Sequence, residues 1–311
     1  MRYLFVFTMI LLAVGKVAGQ TSVTGVCVDS LGNRIEYVNI GVMDSNWGTM
    51  SDAHGHFSLN IPDSLLEKTF TFSHISFKKY TVTAGELIQK YSEAKTEGKD
   101  FKVVLNDNSF ALDQVVVISS KLSRVKNLNS KGIIMPLVAF GLYMRPYVSK
   151  DPESAKKREE AGIALGVLLD LDKETWIREI ELNYLESTFD TLVLRIAVYS
   201  MDTDTITKVY KKSNLIKKWQ GNLTPLMKSP HYINMPKGEK QKIHVDISEH
   251  GIITTGSVYV SIESVEIKGK GGVYSHAFTG ASGIFINPNG EEYMIVNGFG
   301  FGLQIKGSVI R

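Results

Sequence analysis

A two-residue alternation of apolar and polar side chains, repeated in short runs between turn-forming residues, is what most restricts how this chain can fold. Phe57, Leu59 and Ile61 share one face of an extended segment. Phe70 and Phe72 repeat the pattern, and so do Leu192, Leu194, Ile196 and Val198. Alternate side chains of a strand point to opposite faces, so such runs bury their apolar surface by stacking sheets. The punctuation agrees. Asp29-Ser30-Leu31-Gly32-Asn33 separates strand-like residues 23–28 from 35–42, and Gly55 lies where a turn needs positive φ before Phe57 re-enters the core. In the first third of the chain one stretch breaks the rule. Residues 85–98, with Leu87, Ile88, Tyr91 and Ala94 at helical spacing, predict a short amphipathic helix before a strand at 101–105. The predicted class is all-β.

Length and composition narrow the remaining choices. The 311 residues suggest two domains, each large enough for its own core. With 43% hydrophobic residues the chain is too apolar for disorder, and its single Cys cannot form an intrachain disulfide. A formal net charge of +3 argues against a dedicated nucleic-acid binder. Part of that charge belongs to targeting. Arg2 precedes an apolar run at 4–14, and Val17-Ala18-Gly19 supplies small residues for cleavage near Gln20, so residues 1–19 read as a signal peptide. Removing Arg2 and Lys16 leaves 33 basic against 32 acidic residues, a net charge of +1. No Cys stands at the junction to take a lipid anchor, and no stretch of the mature chain reads as transmembrane. Export follows as the expectation, to the periplasm, the outer-membrane surroundings or the cell surface.

Residues 20–107 carry a pattern with many matching positions. It runs Val23-Thr24-Gly25-x-Val-x-Asp29-x-x-Gly32-x-x-Ile35, then Val38-Asn39-Ile40, then Gly48-Thr49-x-Ser51-Asp52-x-x-Gly55-x-Phe57-x-Leu59, then Phe72-Ser73-x-Ile75-x-Phe77. This resembles the carboxypeptidase-like regulatory domain. The resemblance implies a transthyretin-like sandwich of seven strands, common in exported proteins of Gram-negative bacteria and at the N-termini of outer-membrane TonB-dependent receptors. His54 departs from the family, which usually has a small polar residue there. Residues 112–117 resemble the segment leading into a receptor plug, with Gln114 in place of the usual Glu, but no receptor barrel follows. The family name refers to an accessory domain and brings no catalysis. None of the seven His has Glu three positions later, so the zinc pair of a carboxypeptidase is missing.

Residues 108–160 read as a connector rich in Lys, Ser and Asn, with a mixed charge run at 156–160 that suits a solvated face. From 161 to 311 strands recur, at 163–171, 176–184, 191–199, 242–247, 257–263, 283–286, 293–296 and 303–305. Long strands without regular helix alternation predict a second antiparallel sandwich, a jelly roll being one arrangement that fits. On 191–199 one face is apolar throughout, whereas the other holds Val193, Arg195, Ala197 and Tyr199, a strand covered on one face and partly on the other.

Every constellation that carries chemistry here also has a plainer structural reading. Asp52, His54 and His56 flank a turn glycine, and His244-x-Asp246 places two metal-type ligands on one strand face without a third at recognisable spacing. Asp170-x-Asp172 and Asp202-x-Asp204 lack the loop of a calcium site. The glycines at 298, 300 and 302 alternate with Phe299, Phe301 and Leu303, which reads as a strand and not as a phosphate cradle. Trp47, Trp176 and Trp219 are scattered candidates for stacking on a sugar. No catalytic residue, cofactor or metal is assigned, and the expectation is a non-enzymatic protein. Trp47, Trp219, His244 and Asp246 are the speculative ligand contacts. The function expected is binding of a partner protein or glycan at the cell envelope. A hydrolase of envelope or dietary glycans or peptides, with its site in the second domain, is the alternative.

Overall fold

The computed structural model describes residues 19–42, 47–108, 122–129, 134–135, 164–202, 206–208, 216–219, 223–269, 271–286 and 293–311. The expected leader up to residue 18, the plug-like segment 112–117 and the charge run 156–160 lie outside the described residues.

The N-terminal strands are β1 (Gln20–Val28), β2 (Asn39–Val42), β3 (Gly48–Met50), β4 (His56–Pro62), β5 (Thr69–His74), β6 (Phe77–Thr83) and β7 (Lys102–Val104). They form two sheets, ordered β4-β1-β7 and β3-β2-β5-β6, seven strands in all. β7 runs parallel to β1, and the other pairings are antiparallel. The inward residues are those of the two-residue alternation. Val23, Cys27, Ile40, Leu59, Ile61, Phe70 and Phe72 are buried in one cluster, with Phe57 packed edge-on against Phe72 and Phe101. The predicted helix is present as α1 (Ala84–Thr96). Its start is set by a reciprocal cap: the Thr83 hydroxyl accepts from the Glu86 N–H, and the Glu86 carboxylate accepts from the Thr83 N–H, both at 3.2 Å. Leu87 buries the apolar face, and Gly98 takes a left-handed φ of 67° just past the end.

Two side chains explain why this sandwich needs its turn motifs. Asp29 accepts from the N–H groups of Leu31 and Asn33 and from the Asn33 side-chain amide, closing the turn that returns the chain to Ile35. Asp52 accepts from the N–H groups of His54 and His56 at 2.8 Å. Between them Gly55 has φ 76°, and a Cβ there would lie 2.9 Å from the carbonyl oxygens of both Cys27 and Ile35. Backbone crowding and conformation therefore both demand glycine.

The remaining strands are β8 (Lys126–Asn127), β9 (Ile134–Met135), β10 (Ala164–Ser187), β11 (Thr191–Met201), β12 (Ile206–Lys208), β13 (Ile216–Trp219), β14 (Leu223–Pro225), β15 (His231–Met235), β16 (Lys240–Asp246), β17 (Ile253–Lys268), β18 (Val273–Ser275), β19 (Ala277–Ile286), β20 (Tyr293–Phe301) and β21 (Leu303–Val309). All belong to one hydrogen-bonded, antiparallel network with β10 as its spine. The first part of β10 pairs with β17 and β19, and its second part pairs with β16, β21 and β18. The sequence predicts two strands here, broken near Asp172-Lys173-Glu174. The structure instead keeps one strand and absorbs these polar residues in a register shift between Leu171 and Thr175. Val167 and Leu169 from the first part meet Ile177, Ile180 and Leu182 from the second in a single core with Leu194, Ile196, Val260 and Ile305. A strand shared by two sets of partners thus lines both sides of that core, and the class is all-β with sandwich-like arrangements. Among the described residues no helix is long and apolar enough to cross a membrane.

Gly55→Ala is expected to destabilise the protein by about 2 kcal/mol, from left-handed strain plus backbone crowding. Urea unfolding measures it, and a change below a few tenths of a kcal/mol would contradict this account of the turn.

Candidate functional site at the junction of the two sandwiches

β11 carries an apolar face into the core, so its alternate residues point outward, and Arg195 among them is buried under the N-terminal sandwich. A guanidinium cannot give up its charge at accessible pH and needs partners when desolvated. Glu263, the register partner of Arg195 on β17, supplies them: one of its oxygens accepts from Nε at 3.1 Å and from Nη2 at 2.6 Å. The side chains are only 4% and 9% exposed, so this is a buried pair and not a surface one. Burial works against the Arg195 charge, but the adjacent carboxylate holds its pKa above the ordinary value.

The same two residues grip the N-terminal sandwich. Arg195 Nη1 donates to the Tyr37 carbonyl oxygen at 2.8 Å, and the Asn39 side-chain amide donates to Glu263 at 3.2 Å. Tyr37 also reaches across with its hydroxyl, which donates to Glu266 at 2.9 Å. Its ring packs with Val193 and Val265 and tilts against Tyr232 at 5.3 Å between centroids. Tyr37 has φ 50°, the left-handed region that a bulky residue enters only when its surroundings compel it. Both ends of this tyrosine are bonded to the second sandwich. Desolvation, with Glu266 beside it, pushes the Tyr37 pKa up, and desolvation raises that of Tyr232 to about 12.

His74 completes the junction. Its Nδ1 accepts from the Ser76 N–H at 3.2 Å, so Nε2 carries the proton toward the Tyr232 hydroxyl at 3.4 Å. Burial, and then the nearby Arg195 charge, lower its pKa to about 3.

Beside the clamp lies a cleft of about 1070 Å3. Its walls come from β1, β3, β4, the end of α1 and the last residues of β17, and include Thr24, Arg34, Met50, Ser58, Lys95 and Glu266. Two of its carboxylates are already engaged. Asp52 is tied to its own turn, where the N–H groups of His56 and His54 outweigh burial and lower its pKa. Glu266 is ionised beside Lys268 at 2.6 Å and accepts from Tyr37, which together lower its pKa. Arg34 contacts the His56 ring at 3.2 Å, and Lys95 lies over the Tyr91 ring at 5.8 Å. Among the described residues neither cation has a carboxylate partner. The cleft therefore offers cations, hydroxyls and aromatic surface, with Asp52 and Glu266 engaged and Asp100 as a third, exposed carboxylate on its wall.

Comparison with known proteins accounts for one wall. Residues 23–117 match the family described as CarboxypepD_reg-like domain. The N-terminal sandwich is a CarboxypepD_reg-like domain. Such a domain points to a β-sandwich binding or regulatory module. No curated protein matches the chain. A solved structure titled "Structure of infectious bursal disease virus Gx strain" aligns over 93% of this chain and 65% of its own, at 8% identity and a TM-score of 0.23. The chain thus spans a little under two thirds of that relative, and the likeness is too slight to bear on fold or function.

Of the residues singled out from sequence, Asp52 and His56 line the cleft, whereas Trp47, His244 and Asp246 lie outside it. Trp47 packs edge-on against Phe70 at the rim of the CarboxypepD_reg-like core, 5.3 Å between centroids. Trp219 ends β13 opposite Tyr293, and its side chain lies outside the described residues. His244 contacts Glu179 at 3.0 Å in a cross-strand charge ladder that also holds Glu181, Lys242 and Lys306. Asp246 accepts from the Ser248 N–H at 2.9 Å, its pKa lowered by Ser248. His244 and Asp246 share a strand face but serve different partners. Cys27 is buried, its pKa pushed up to about 12 by desolvation. Sequence reasoning missed Tyr37, Glu263 and Glu266. The one signal was Arg195, a lone cation in an otherwise apolar run.

Arg195→Met is expected to cost about 3–5 kcal/mol, because it strands Glu263 in the interior. Adding Glu263→Met should recover much of that loss in denaturant unfolding, and an equal or larger cost for the double variant would show that the pair itself supplies the stability. Acid should act through His74 as well. The unfolded residue takes up a proton below its ordinary value of 6.5, whereas the folded one stays neutral to about 3. Stability therefore falls as pH drops through that window. His74→Gln should flatten the slope of unfolding free energy against pH between 6.5 and 4, and an unchanged slope would refute the assignment.

Proposed function

We propose that this is an exported, non-catalytic protein that binds a partner protein or glycan at the cell envelope, with the cleft beside the Arg195–Glu263 clamp as its binding site. The observation that carries the reading is the cleft itself: about 1070 Å3, walled by two β units joined by the Arg195 and Asn39 hydrogen bonds, and lined by Arg34 and Lys95, which have no carboxylate partner among the described residues, with hydroxyl and aromatic neighbours. Binding sites of this kind are preformed concavities at domain junctions with a few polar groups that set orientation. The CarboxypepD_reg-like domain, an accessory binding or regulatory module, supports the same reading.

One feature favours binding over turnover. Asp52 and Glu266 are carboxylates with lowered pKa, engaged by neighbouring donors, the opposite of the raised, poised group that general acid catalysis uses. Export is supported by the leader-like residues 1–19.

The charge reversals Arg34→Glu and Lys95→Glu test the site. Immobilised mature protein is assayed on a glycan array and by crosslinking to envelope extracts. The double reversal should weaken the captured interaction about tenfold or more, equivalent to about 1.4 kcal/mol, while leaving the unfolding midpoint in place. Binding indifferent to both reversals, or consumption of the captured glycan or peptide, would overturn the proposal. Cell fractionation reads export separately, and protein retained in the cytosol with residues 1–19 intact would refute it.

A further inference from the structure

The wall of the cleft formed by β3 and β4 is made of strand edges. Among the described residues, β3 is the outer strand of its sheet and pairs only with β2, and β4 is the outer strand of the other sheet and pairs only with β1. The ladder between β2 and β3 is set by alternation. Trp47 accepts from the Val42 N–H, Ser51 donates to the Val38 carbonyl, and Thr49 stands opposite Ile40 in the same phase. The backbone groups of Gly48 and Met50 therefore point away from β2. Both residues are half-buried and line the cleft, as Thr49 does between them. Across the cleft mouth, Ser58 on β4 has the same outward phase, because Cys27 bonds Gly55 and the register places Gly25 opposite Phe57.

Two outward N–H and two outward C=O groups, two residues apart on a straight edge, repeat the spacing of one extended strand, about 6.6 Å. Half-buried backbone groups of this kind gain most from a partner that is itself backbone. A glycan has no periodic donor and acceptor pairs at that spacing. Around the edge stand Arg34 and Lys95, cations without carboxylate partners among the described residues, whereas Lys268 and Lys99 further along the walls are paired with Glu266 and Glu97, and Asp100 adds one exposed carboxylate. We infer that the occupant of the cleft is an extended polypeptide segment with acidic side chains, which pairs with Gly48 and Met50 as an added strand on the edge of β3. This rests on the cleft being the binding site and names what it takes. Backbone pairing provides the grip, and the alternate side chains facing Arg34 and Lys95 provide selectivity.

The probe is a random decapeptide display library selected on the mature chain, followed by synthesis of the best binder. The expected result is a peptide with acidic residues at alternate positions. Its binding slows amide exchange of Gly48 and Met50 by about tenfold or more. N-methylation of alternate peptide amides should abolish binding in one phase and spare it in the other, since only one phase faces β3. Gly48→Pro, which removes an outward N–H that makes no ladder bond, should weaken the peptide without moving the unfolding midpoint. Binding of a peptide or glycan that responds to Arg34→Glu but leaves both amides exchanging as before would overturn the added strand while keeping the cleft. Protection of the same amides by self-association would give the edge to a second copy of the chain and overturn the proposal. Failure of every peptide and glycan to bind in the cleft would remove both readings.

Discussion

Arg195 is the residue around which the junction is arranged. Once the apolar face of β11 is committed to the core, alternation puts a guanidinium on the other face, and that face is covered. The charge has to be matched where it lies, by Glu263 beside it and by the Tyr37 carbonyl above it. A desolvated pair of this sort contributes little net stability against an apolar replacement, and its worth lies in geometry. Arg195 presents a planar fork with fixed directions, so the N-terminal sandwich is accepted only where a carbonyl meets the third N–H. The apolar part of the contact, chiefly Tyr37, Val193 and Val265, is small and could slide without that polar register. Tyr37 records the demand in its backbone, held at φ 50° by bonds at both its carbonyl and its hydroxyl.

From this clamp the cleft follows. β17 contributes Glu263 to the buried pair and, three residues on, Glu266 to the cleft wall. The N-terminal sandwich contributes Tyr37 to the pair and, through the strand that follows the next turn, Met50 to the opposite wall. The two walls are extensions of the same contact and inherit its spacing. A site walled by separate units usually breathes with the hinge between them. Here the hinge is pinned by bonds from Arg195, Asn39 and Tyr37 whose loss would leave charged groups unsatisfied.

What could be read from the chain and what could not divides along the range of the interactions. The sandwich core, the helix at 84–96 and the turns at Asp29 and Asp52 were legible because each depends on residues within a few positions, by alternation, capping or a required glycine. β10 was misread at Asp172-Lys173-Glu174 because a polar triplet signals a turn locally, whereas hydrogen bonds to strands some 80 or 130 residues later carry the strand through it. The junction was illegible for the same reason: Tyr37 and Glu266 are separated by 229 residues, Arg195 and Glu263 by 68. His244 and Asp246 were conspicuous in sequence by residue type. In the structure one joins a charge ladder and the other caps a turn, uses that residue type and spacing alone do not distinguish from metal ligation.

The edge of β3 bears on the choice among functions. An exposed strand edge invites unwanted pairing, and proteins ordinarily blunt it with proline, with charge or by covering it. β3 has neither charge nor proline, its residues being Gly48, Thr49 and Met50. Its protection is positional: it is three residues long, half-buried and part of a cleft wall. The closing of the two sandwiches by the Arg195 clamp therefore does two things at once. It recesses the backbone edge of β3 in the cleft, and it sets beside that edge Arg34 and Lys95, the cations that the proposed acidic strand would meet. On the proposed reading, strand capture uses that open backbone edge directly, with Arg34 and Lys95 beside it to favour acidic side chains.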